Sequence, residues 1–285
     1  LLDSQGVTIT ASAATQAGTA KIVLTAPRNL GPGEISVSTS GGEASDSITL
    51  DFVAGPPAKL DVSVDPATIT ADGSSHYKVR IVATDASGRS VADGTVARAG
   101  DSAGESTAEG ETLSGVFEVT LLAPTRVGGV TIEAEVGGLR ATAPLTLLPG
   151  PAAEITLESF EPRFAVTDET LRLTAHAVDA FGNPVPDGTM LTFAIGSVTA
   201  TAPSVSGAVT QTLMIKSLAP GEYELRVSNN SGGSGGSAEP ATETITLLPG
   251  STRELKLDLD TDRLLAGQTV DLRASLSDAL GNAVI

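Results

Sequence analysis

Apolar and polar residues alternate along most of the chain, and three stretches repeat this alternation in the same register. In each stretch every second residue is apolar and an Asp-x-x-Gly turn follows. The apolar sets are Tyr77, Val79, Ile81 and Ala83; Leu171, Leu173, Ala175 and Ala177; and Val270, Leu272, Ala274 and Leu276. Successive strand residues point to opposite faces of a sheet, so each set predicts a strand with one face in a core.

A second kind of strand begins at a glycine near the end of each repeat. These strands are Gly33–Val37, Gly129–Ile132 and Gly221–Val227. The Gly-Gly pairs at 41–42 and 137–138 predict the hairpin into a closing strand. No stretch of about 12 or more residues has the apolar periodicity of a helix. Roughly seven short strands per repeat are typical of an immunoglobulin-like β-sandwich. The predicted fold class is therefore all-β.

Turn and joint signals recur about every 95 to 100 residues. They are Ala26-Pro27, Ala123-Pro124 and Ala219-Pro220; the turns from Asp85, Asp179 and Asp278; and the Gly/Pro joints at Gly55, Gly150 and Gly250. This phase predicts two complete repeats at 54–148 and 149–248. It assigns 1–53 to the second half of a repeat and 249–285 to the first half of another, so we expect a segment of a longer array.

The stretch from Ala177 to Thr189, with Leu191-Thr-Phe193 after it, resembles the bacterial immunoglobulin-like repeats of the invasin and intimin type, group 1. Asp85–Thr95 is a looser copy of this motif, and Asp278–Val284 is a truncated one. Filamin-type repeats share the Gly-x-Tyr strand at 221–223 and are the nearest competing family. The invasin-type resemblance implies tandem domains, stacked end to end, on a bacterial cell surface or outside the cell.

The composition excludes several classes of function. With 34 acidic and 17 basic residues the net charge is −17, which argues against binding to nucleic acid or to anionic membranes. The chain has no Cys, and therefore no disulfide, thiolate metal site or Cys nucleophile. It contains no apolar run of the roughly 20 residues that a membrane-spanning helix needs, and its first residues do not have the pattern of a signal peptide.

The acidic turns are the main candidates for a metal site. Asp85 with Asp93, or Asp179 with Asp187, would form a calcium loop, but two carboxylates eight residues apart supply few of the six to eight oxygens that calcium takes. We therefore predict structural turns, with no metal or cofactor required. His76 and His176 are predicted on polar strand faces, so no catalytic residue and no enzymatic activity are expected.

Three further motifs receive structural interpretations. Asp258, Asp260 and Asp262 are predicted along one solvated strand face, which discourages aggregation. Asn229-Asn230-Ser231 matches a glycosylation acceptor by pattern alone. The run Ser231–Ser237 is predicted to be a tolerated loop extension, and the alternative is a flexible loop that contacts a neighbour.

The aromatic residues separate two functional hypotheses. Tyr77, Phe117, Phe193 and Tyr223 fall at inward or strand positions, and Phe181 in its turn is the main exception. Exposed aromatics mark many binding sites. Their scarcity favours a stalk or filament that spaces an adhesive tip from the cell. The alternative is a module that binds a carbohydrate or receptor directly.

The expected partners follow from these two hypotheses. They are the neighbouring repeats of the chain, copies of itself in a filament or surface layer, and a host or cell-surface glycan or protein at a distal tip. Joints of about three residues predict a semi-rigid rod. Each of the pairs Leu147-Leu148 and Leu247-Leu248 must turn one Leu outward, where we expect it to pack against the next repeat.

Overall fold

The computed structural model describes residues 1–229 and 238–284. Contacts divide the chain into two compact units. The first comprises Leu1–Ile69, Ser74–Pro124 and Gly128–Thr146, and the second comprises Thr70–Gly73, Thr125–Val127 and Leu147–Ile285. The predicted division at 54, 149 and 249 stays a prediction. We call residues 54–148 the first complete copy and residues 149–248 the second.

The described residues form strands and short 3-10 turns, so the all-β prediction is confirmed. Before the complete copies come β1 (Gly31–Ser38) and β2 (Ser45–Phe52). The first complete copy contains β3 (Lys59–Asp65), β4 (Thr68–Thr70), β5 (His76–Thr84), β6 (Val96–Asp101), β7 (Thr107–Glu111), β8 (Val116–Leu122), β9 (Gly128–Val136) and β10 (Leu139–Leu148). The second contains β11 (Glu154–Leu157), β12 (Arg163–Ala165), β13 (Thr170–Val178), β14 (Met190–Ile195), β15 (Val198–Pro203), β16 (Ala208–Met214), β17 (Gly221–Asn229) and β18 (Ala241–Leu248). After them come β19 (Glu254–Leu259) and β20 (Leu272–Ser277).

Each complete copy is a sandwich of a three-stranded and a five-stranded sheet. In the first copy the strand orders are β3-β5-β8 and β4-β10-β9-β6-β7. In the second copy β11-β13-β16 and β12-β18-β17-β14-β15 repeat this order strand for strand. Most neighbours pair antiparallel, whereas β12 runs parallel to β18. The eight strands per copy agree with an immunoglobulin-like sandwich.

The predicted core faces of both complete copies are confirmed. Tyr77, Val79, Ile81 and Ala83 on β5 are buried, as are the four corresponding residues of β13. These side chains face the second sheet of their copy, which removes them from water. In the second copy Phe193, Leu225 and Ile245 of the five-stranded sheet belong to the same buried cluster as Leu171 and Leu173. The period-two pattern therefore identifies the inner face correctly.

The predicted core face of the last repeat is wrong for the structure as described. Val270 lies before β20, and Leu272, Ala274 and Leu276 on β20 are exposed, Leu272 to 55%. The reason is the sheet itself: β20 pairs only with β19, and no second sheet covers the pair within residues 1–229 and 238–284.

The joints differ in part from expectation. Regular strand is absent from residues 53–58, 149–153 and 249–253, which makes each joint longer than predicted. One Leu of each pair does turn outward, since Leu147 and Leu247 are buried. Leu148 and Leu248 nevertheless remain 48% and 41% exposed, so the predicted burial against a following repeat is incomplete.

Candidate functional site

The Asp-x-x-Gly turn has the same geometry at Asp85, Asp179 and Asp278. The carbonyl of each aspartate accepts a hydrogen bond from the N–H of the turn glycine, at 2.9 to 3.2 Å. That glycine has a positive φ of 77 to 82°, a conformation that residues with a Cβ rarely adopt. One carboxylate oxygen, Oδ1, accepts the N–H groups of the residues two and four positions later, at 2.8 to 3.0 Å.

The second carboxylate oxygen of each turn fastens a joint. Oδ2 of Asp179 accepts the N–H of Gly150 at 3.0 Å, and Oδ2 of Asp278 accepts that of Gly250 at 2.8 Å. Asp85 binds the N–H of Gly55 in the same way at 3.2 Å. These glycines lie 28 to 30 residues before their aspartates, so the contact is not visible in the local sequence.

Three residues after each joint glycine, a second hydrogen bond holds the same joint. The N–H groups of Ala58, Ala153 and Arg253 donate to the carbonyls of Thr84, Val178 and Ser277, each at 2.8 Å. Each acceptor is the residue immediately before a turn aspartate. Every joint is thus held by two hydrogen bonds at the end of β5, β13 or β20, one to the carboxylate of the turn aspartate and one to the last carbonyl of the strand.

A fourth turn of this kind, at Asp3, was missed by the sequence reasoning. Oδ1 of Asp3 accepts the N–H groups of Gln5 and Val7 at 3.0 and 2.7 Å, and Gly6 has a φ of 82°. Asn29 donates to Oδ2 at 2.6 Å, where the other turns bind a joint glycine. The Asp-x-x-Gly spacing at residues 3–6 was the signal that could have revealed it.

The turn aspartates are buried yet remain ionised to low pH. In Asp85 the N–H of Arg89 has the largest effect, and with the N–H of Gly55 and the Arg89 side chain it outweighs burial and lowers the pKa to about 2. The Arg89 guanidinium also forms an ion pair with this carboxylate at 2.9 Å. An ionised carboxylate accepts hydrogen bonds at both oxygens, which is the state that the joint contacts require.

The carboxylates of Asp179 and Asp278 also remain ionised to low pH, although no cationic side chain pairs with them in the described residues. Burial alone would raise the pKa of Asp278, but hydrogen bonds from the Asn282 side chain and from the Gly250 N–H, among others, lower it to about 2. In Asp179 burial again opposes the change, and the hydrogen bonds, led by the Asn183 side chain, lower the pKa. Because these pKa values are depressed, the stability contributed is present above the ordinary value of 3.8 and is lost as pH falls below it.

The other members of the proposed calcium pairs serve different loops. Oδ1 of Asp93 accepts the N–H of Ser114 at 2.6 Å, and Oδ1 of Asp187 accepts that of Ser206 at 2.7 Å. Within residues 1–229 and 238–284, no group of three or more His, Cys, Asp or Glu side chains is placed to hold a metal ion. The geometry agrees with structural turns, and independence from metal remains a prediction.

The remaining candidates lie apart from the turns. His76 and His176 are exposed on polar strand faces, as predicted. The single strand face predicted for three aspartates is wrong, because β19 ends at Leu259 and only Asp258 lies on it. Beyond that strand the Thr261 hydroxyl bonds both the N–H and the carbonyl of Arg263 and bends the chain.

Two motifs near residue 230 fall wholly or partly outside the described residues. These are the run Ser231–Ser237 and, in the acceptor pattern 229–231, residues Asn230 and Ser231. Asn229 itself is buried, and its side-chain oxygen accepts the N–H of Ala238 at 3.1 Å.

The outer face of the five-stranded sheet in the first copy contains a groove of about 600 Å³. Its charged lining residues are Arg98, Asp101, Glu109, Glu133, Glu135 and Arg140. Arg98 pairs with Glu109 at 2.8 Å and Arg140 with Glu135 at 3.0 Å. No aromatic side chain lines the groove. Phe181 in its turn, 50% exposed, is the aromatic residue most open to solvent in the described chain.

Comparisons with known proteins agree with this architecture. The family model of invasin domain 3 matches residues 56–150. The structure of InvD from Yersinia pseudotuberculosis is 22% identical with a TM-score of 0.54, over 79% of this chain and 72% of that one. The Escherichia coli adhesin FdeC is 20% identical with a TM-score of 0.51, over 82% and 78%. No curated protein sequence matches significantly.

Invasin itself is 18% identical with a TM-score of 0.45. The match covers 80% of this chain but 48% of the invasin structure, so the chain spans about half of that relative's length. Among residues 1–229 and 238–284, no helix has the length and apolar character needed to cross a membrane.

The fold and the family match together indicate the class: immunoglobulin-like domains similar to those of bacterial adhesins. The sequence evidence for this class is the match of residues 56–150 to invasin domain 3. In its fold, and over residues 56–150 also in its sequence, the chain is similar to bacterial immunoglobulin-like domains of the invasin and intimin type, which agrees with the predicted resemblance.

Proposed function

We propose that the chain is a non-enzymatic structural segment, a stalk or filament, of a long bacterial surface protein, and that it spaces an adhesive tip from the cell. Its domains in this proposal are the second half of a repeat at 1–53, complete repeats at 54–148 and 149–248, and the first half of a repeat at 249–285. Neighbouring repeats are the principal partners of each domain. Copies of the chain in a filament or surface layer would be the next.

The observation that carries this proposal is the double fastening of each joint. Gly150 is held by Asp179 and Ala153 by the carbonyl of Val178, and the other two joints repeat both bonds. A stalk has to pass displacement along its length, and a joint tied to the following core strand does so better than a flexible linker. A module that binds a ligand through its loops alone does not need a fixed connection at every joint.

Small-angle scattering of the full chain tests the proposal. We expect an elongated particle with a well-defined cross-section. Asp179→Ala removes the acceptor for the N–H of Gly150 and should broaden the distribution of shapes. Asp187→Ala is the matched control, because its carboxylate caps a local hairpin through the N–H of Ser206. Wild-type scattering typical of independent beads, or equal effects of both variants, would contradict the proposal.

Independence from metal has its own experiment. The carboxylates of Asp85, Asp179 and Asp278 bind N–H donors, so removal of divalent ions by a chelator should leave the melting temperature unchanged. A ligand that binds only the native state would raise it by mass action. An increase of several degrees on adding calcium would therefore show a calcium site and contradict this part of the proposal.

One observation supports the alternative of direct binding. The groove on the first copy offers two arginines and three glutamates to a polar ligand such as a glycan or a protein loop. Invasin, one of the similar structures, is an integrin-binding protein, so a host protein is one kind of partner to test. A glycan array and a panel of host receptors, each probed with the chain and with Arg98→Ala, would detect such binding. Binding that this variant abolishes would replace the spacer function.

A further inference from the structure

The residue four positions after the turn aspartate makes a contact that the turn does not require. In the second copy this residue is Asn183, whose Nδ2 donates to the carbonyl of Thr125 at 2.8 Å. Its Oδ1 accepts the N–H of Val127 at 3.2 Å. The amide therefore pairs with a backbone loop both as a donor and as an acceptor, as a neighbouring strand would.

The corresponding residue of the first copy reaches the corresponding loop. Arg89 donates through Nη1 to the carbonyl of Arg28 at 3.0 Å. Arg28 and Thr125 each follow the Ala-Pro step that recurs in the repeat, at 26–27 and 123–124. The acceptor is thus the same position of the repeat, although one donor is a charged guanidinium and the other a neutral amide.

The compact units agree with this attachment. Thr125–Val127 and Thr70–Gly73 belong to the second unit, although the strands on either side of both loops belong mainly to the first. A Cβ built on Gly73 would lie 3.1 Å from Cγ2 of Thr125 and 3.9 Å from Cζ of Phe181. The ring tip of Phe181 therefore lies near the Gly73 loop, on the same turn as Asn183.

We infer that the position four residues after the turn aspartate, occupied by Arg89 and Asn183 in the two complete copies, is a latch that binds the Ala-Pro loop of the preceding repeat. This inference rests on the proposed stalk function and names the residues that fasten one repeat to the next. The Asp179 carboxylate accepts hydrogen bonds from Asn183 Nδ2 at 2.9 and 3.2 Å, which fixes the amide in the orientation that the loop needs. Asn183 is buried, whereas Arg89 is partly exposed, so salt should weaken the Arg89 latch more.

The chain supplies its own matched control. Asn282 donates to Asp278 at 3.0 and 3.3 Å, as Asn183 does to Asp179, yet within residues 1–229 and 238–284 its side chain bonds no residue near Pro220, where β17 begins directly at Gly221. The Asp3 turn supplies a second control, because Val7 occupies the same position there and still donates its N–H to the aspartate. Asn183→Val should therefore keep the turn folded.

The test is amide hydrogen exchange by NMR on the full chain, with Asn183→Ala, Asn183→Val and Asn282→Ala. We expect both substitutions at 183 to speed exchange of the Val127 amide by about tenfold, the effect of one lost hydrogen bond. Asn282→Ala should leave that amide unchanged. NMR relaxation should also show that the two complete copies tumble more independently in both variants at 183.

Two outcomes would overturn the latch: exchange at Val127 that does not change in either variant at 183, or equal effects of Asn282→Ala. These readouts are separate from the test of the stalk itself. A rod-like chain with an unprotected Val127 amide would reject the latch alone. A protected amide in a chain of independent beads would reject the stalk and leave a local loop contact.

Discussion

In the first complete copy the buried aromatic side chains come from the three-stranded sheet, whereas in the second copy the buried aromatic side chain comes from the five-stranded sheet. The buried aromatic rings of the first copy are Tyr77 on β5 and Phe117 on β8. The register places Leu171 and Val209 at these positions in the second copy. Both copies keep a closed core with the same strand order.

The opposite sheet changes in the reverse direction. The inward positions of β6 are Ala97, Ala99 and Asp101, and those of β14 are Leu191, Phe193 and Ile195. Volume lost on one sheet is therefore supplied by the other. Cores tolerate such exchanges when the total volume and the pattern of apolar positions are preserved, because close packing is what has to be satisfied.

The largest expected effect tests this exchange in the second copy. Phe193→Ala should lower the free energy of unfolding by about 3 to 5 kcal/mol, since the ring is fully buried and leaves a cavity. The equivalent position of the first copy is Ala99, in a core where the Phe117 ring of the other sheet lies against Gly110. Hydrogen exchange across β13 to β18 would locate the loss.

A compensating variant sharpens the comparison. Adding Val209→Phe and Ala202→Gly to Phe193→Ala rebuilds the arrangement of the first copy, because Gly110 stands there where Ala202 stands in the second. We expect this triple variant to recover part of the lost stability. A triple variant no more stable than Phe193→Ala would show that the two cores are not interchangeable.

The strands and the turns could be predicted from sequence because their signals are local. Alternation on β5 and β13 identified the buried face, and Asp179 with Gly182 identified a turn. The bond from Gly150 to Asp179 spans 29 residues and that from Asn183 to Thr125 spans 58, so no local pattern encodes either. The exposure of Leu272 could not be predicted either. Alternation shows which side chains share one face of a strand, but burial of that face requires a second sheet to cover it.

An intermediate effect is expected at Gly110. A Cβ at this position would lie 2.5 Å from Cε2 of Phe117, so Gly110→Ala overpacks the core of the first copy and should cost about 1 to 3 kcal/mol. The reverse change at the equivalent position of the second copy, Ala202→Gly, removes a methyl group and creates no overlap. It should cost less than about 1 kcal/mol, as a glycine in a strand does.

Calorimetry of the full chain measures both changes. Phe117→Leu in the Gly110→Ala background should relieve the overlap and restore part of the stability. Equal costs for Gly110→Ala and Ala202→Gly would show that the glycine is not there to accommodate the ring, and the packing contrast between the copies would lose one of its supports.

The smallest effect concerns the polar pair that distinguishes the core of the first copy. Tyr77 and Asp101 occupy the positions of Leu171 and Ile195, and the buried Tyr77 hydroxyl meets none of the described residues in good hydrogen-bond geometry. Tyr77→Phe removes a hydroxyl group that has no good hydrogen-bond partner among the described residues of the folded chain. We expect stability at neutral pH to change by less than about 1 kcal/mol, with no change in strand content by circular dichroism.

Alkaline pH separates Tyr77 from its apolar counterpart in the second copy. Burial, with a smaller contribution from the Asp101 charge, raises the pKa of Tyr77 from 10.0 to about 12, and the nearby Ser106 side chain opposes this. Since the folded pKa exceeds the unfolded one, the stability involved is complete below pH 10.0 and is lost as pH rises toward about 12. Thermal melts between these limits should therefore fall more steeply for the wild type than for Tyr77→Phe. Parallel curves would mean that Tyr77 ionises in the folded chain as easily as in the unfolded one, and that the polar pair does not distinguish the two cores electrostatically.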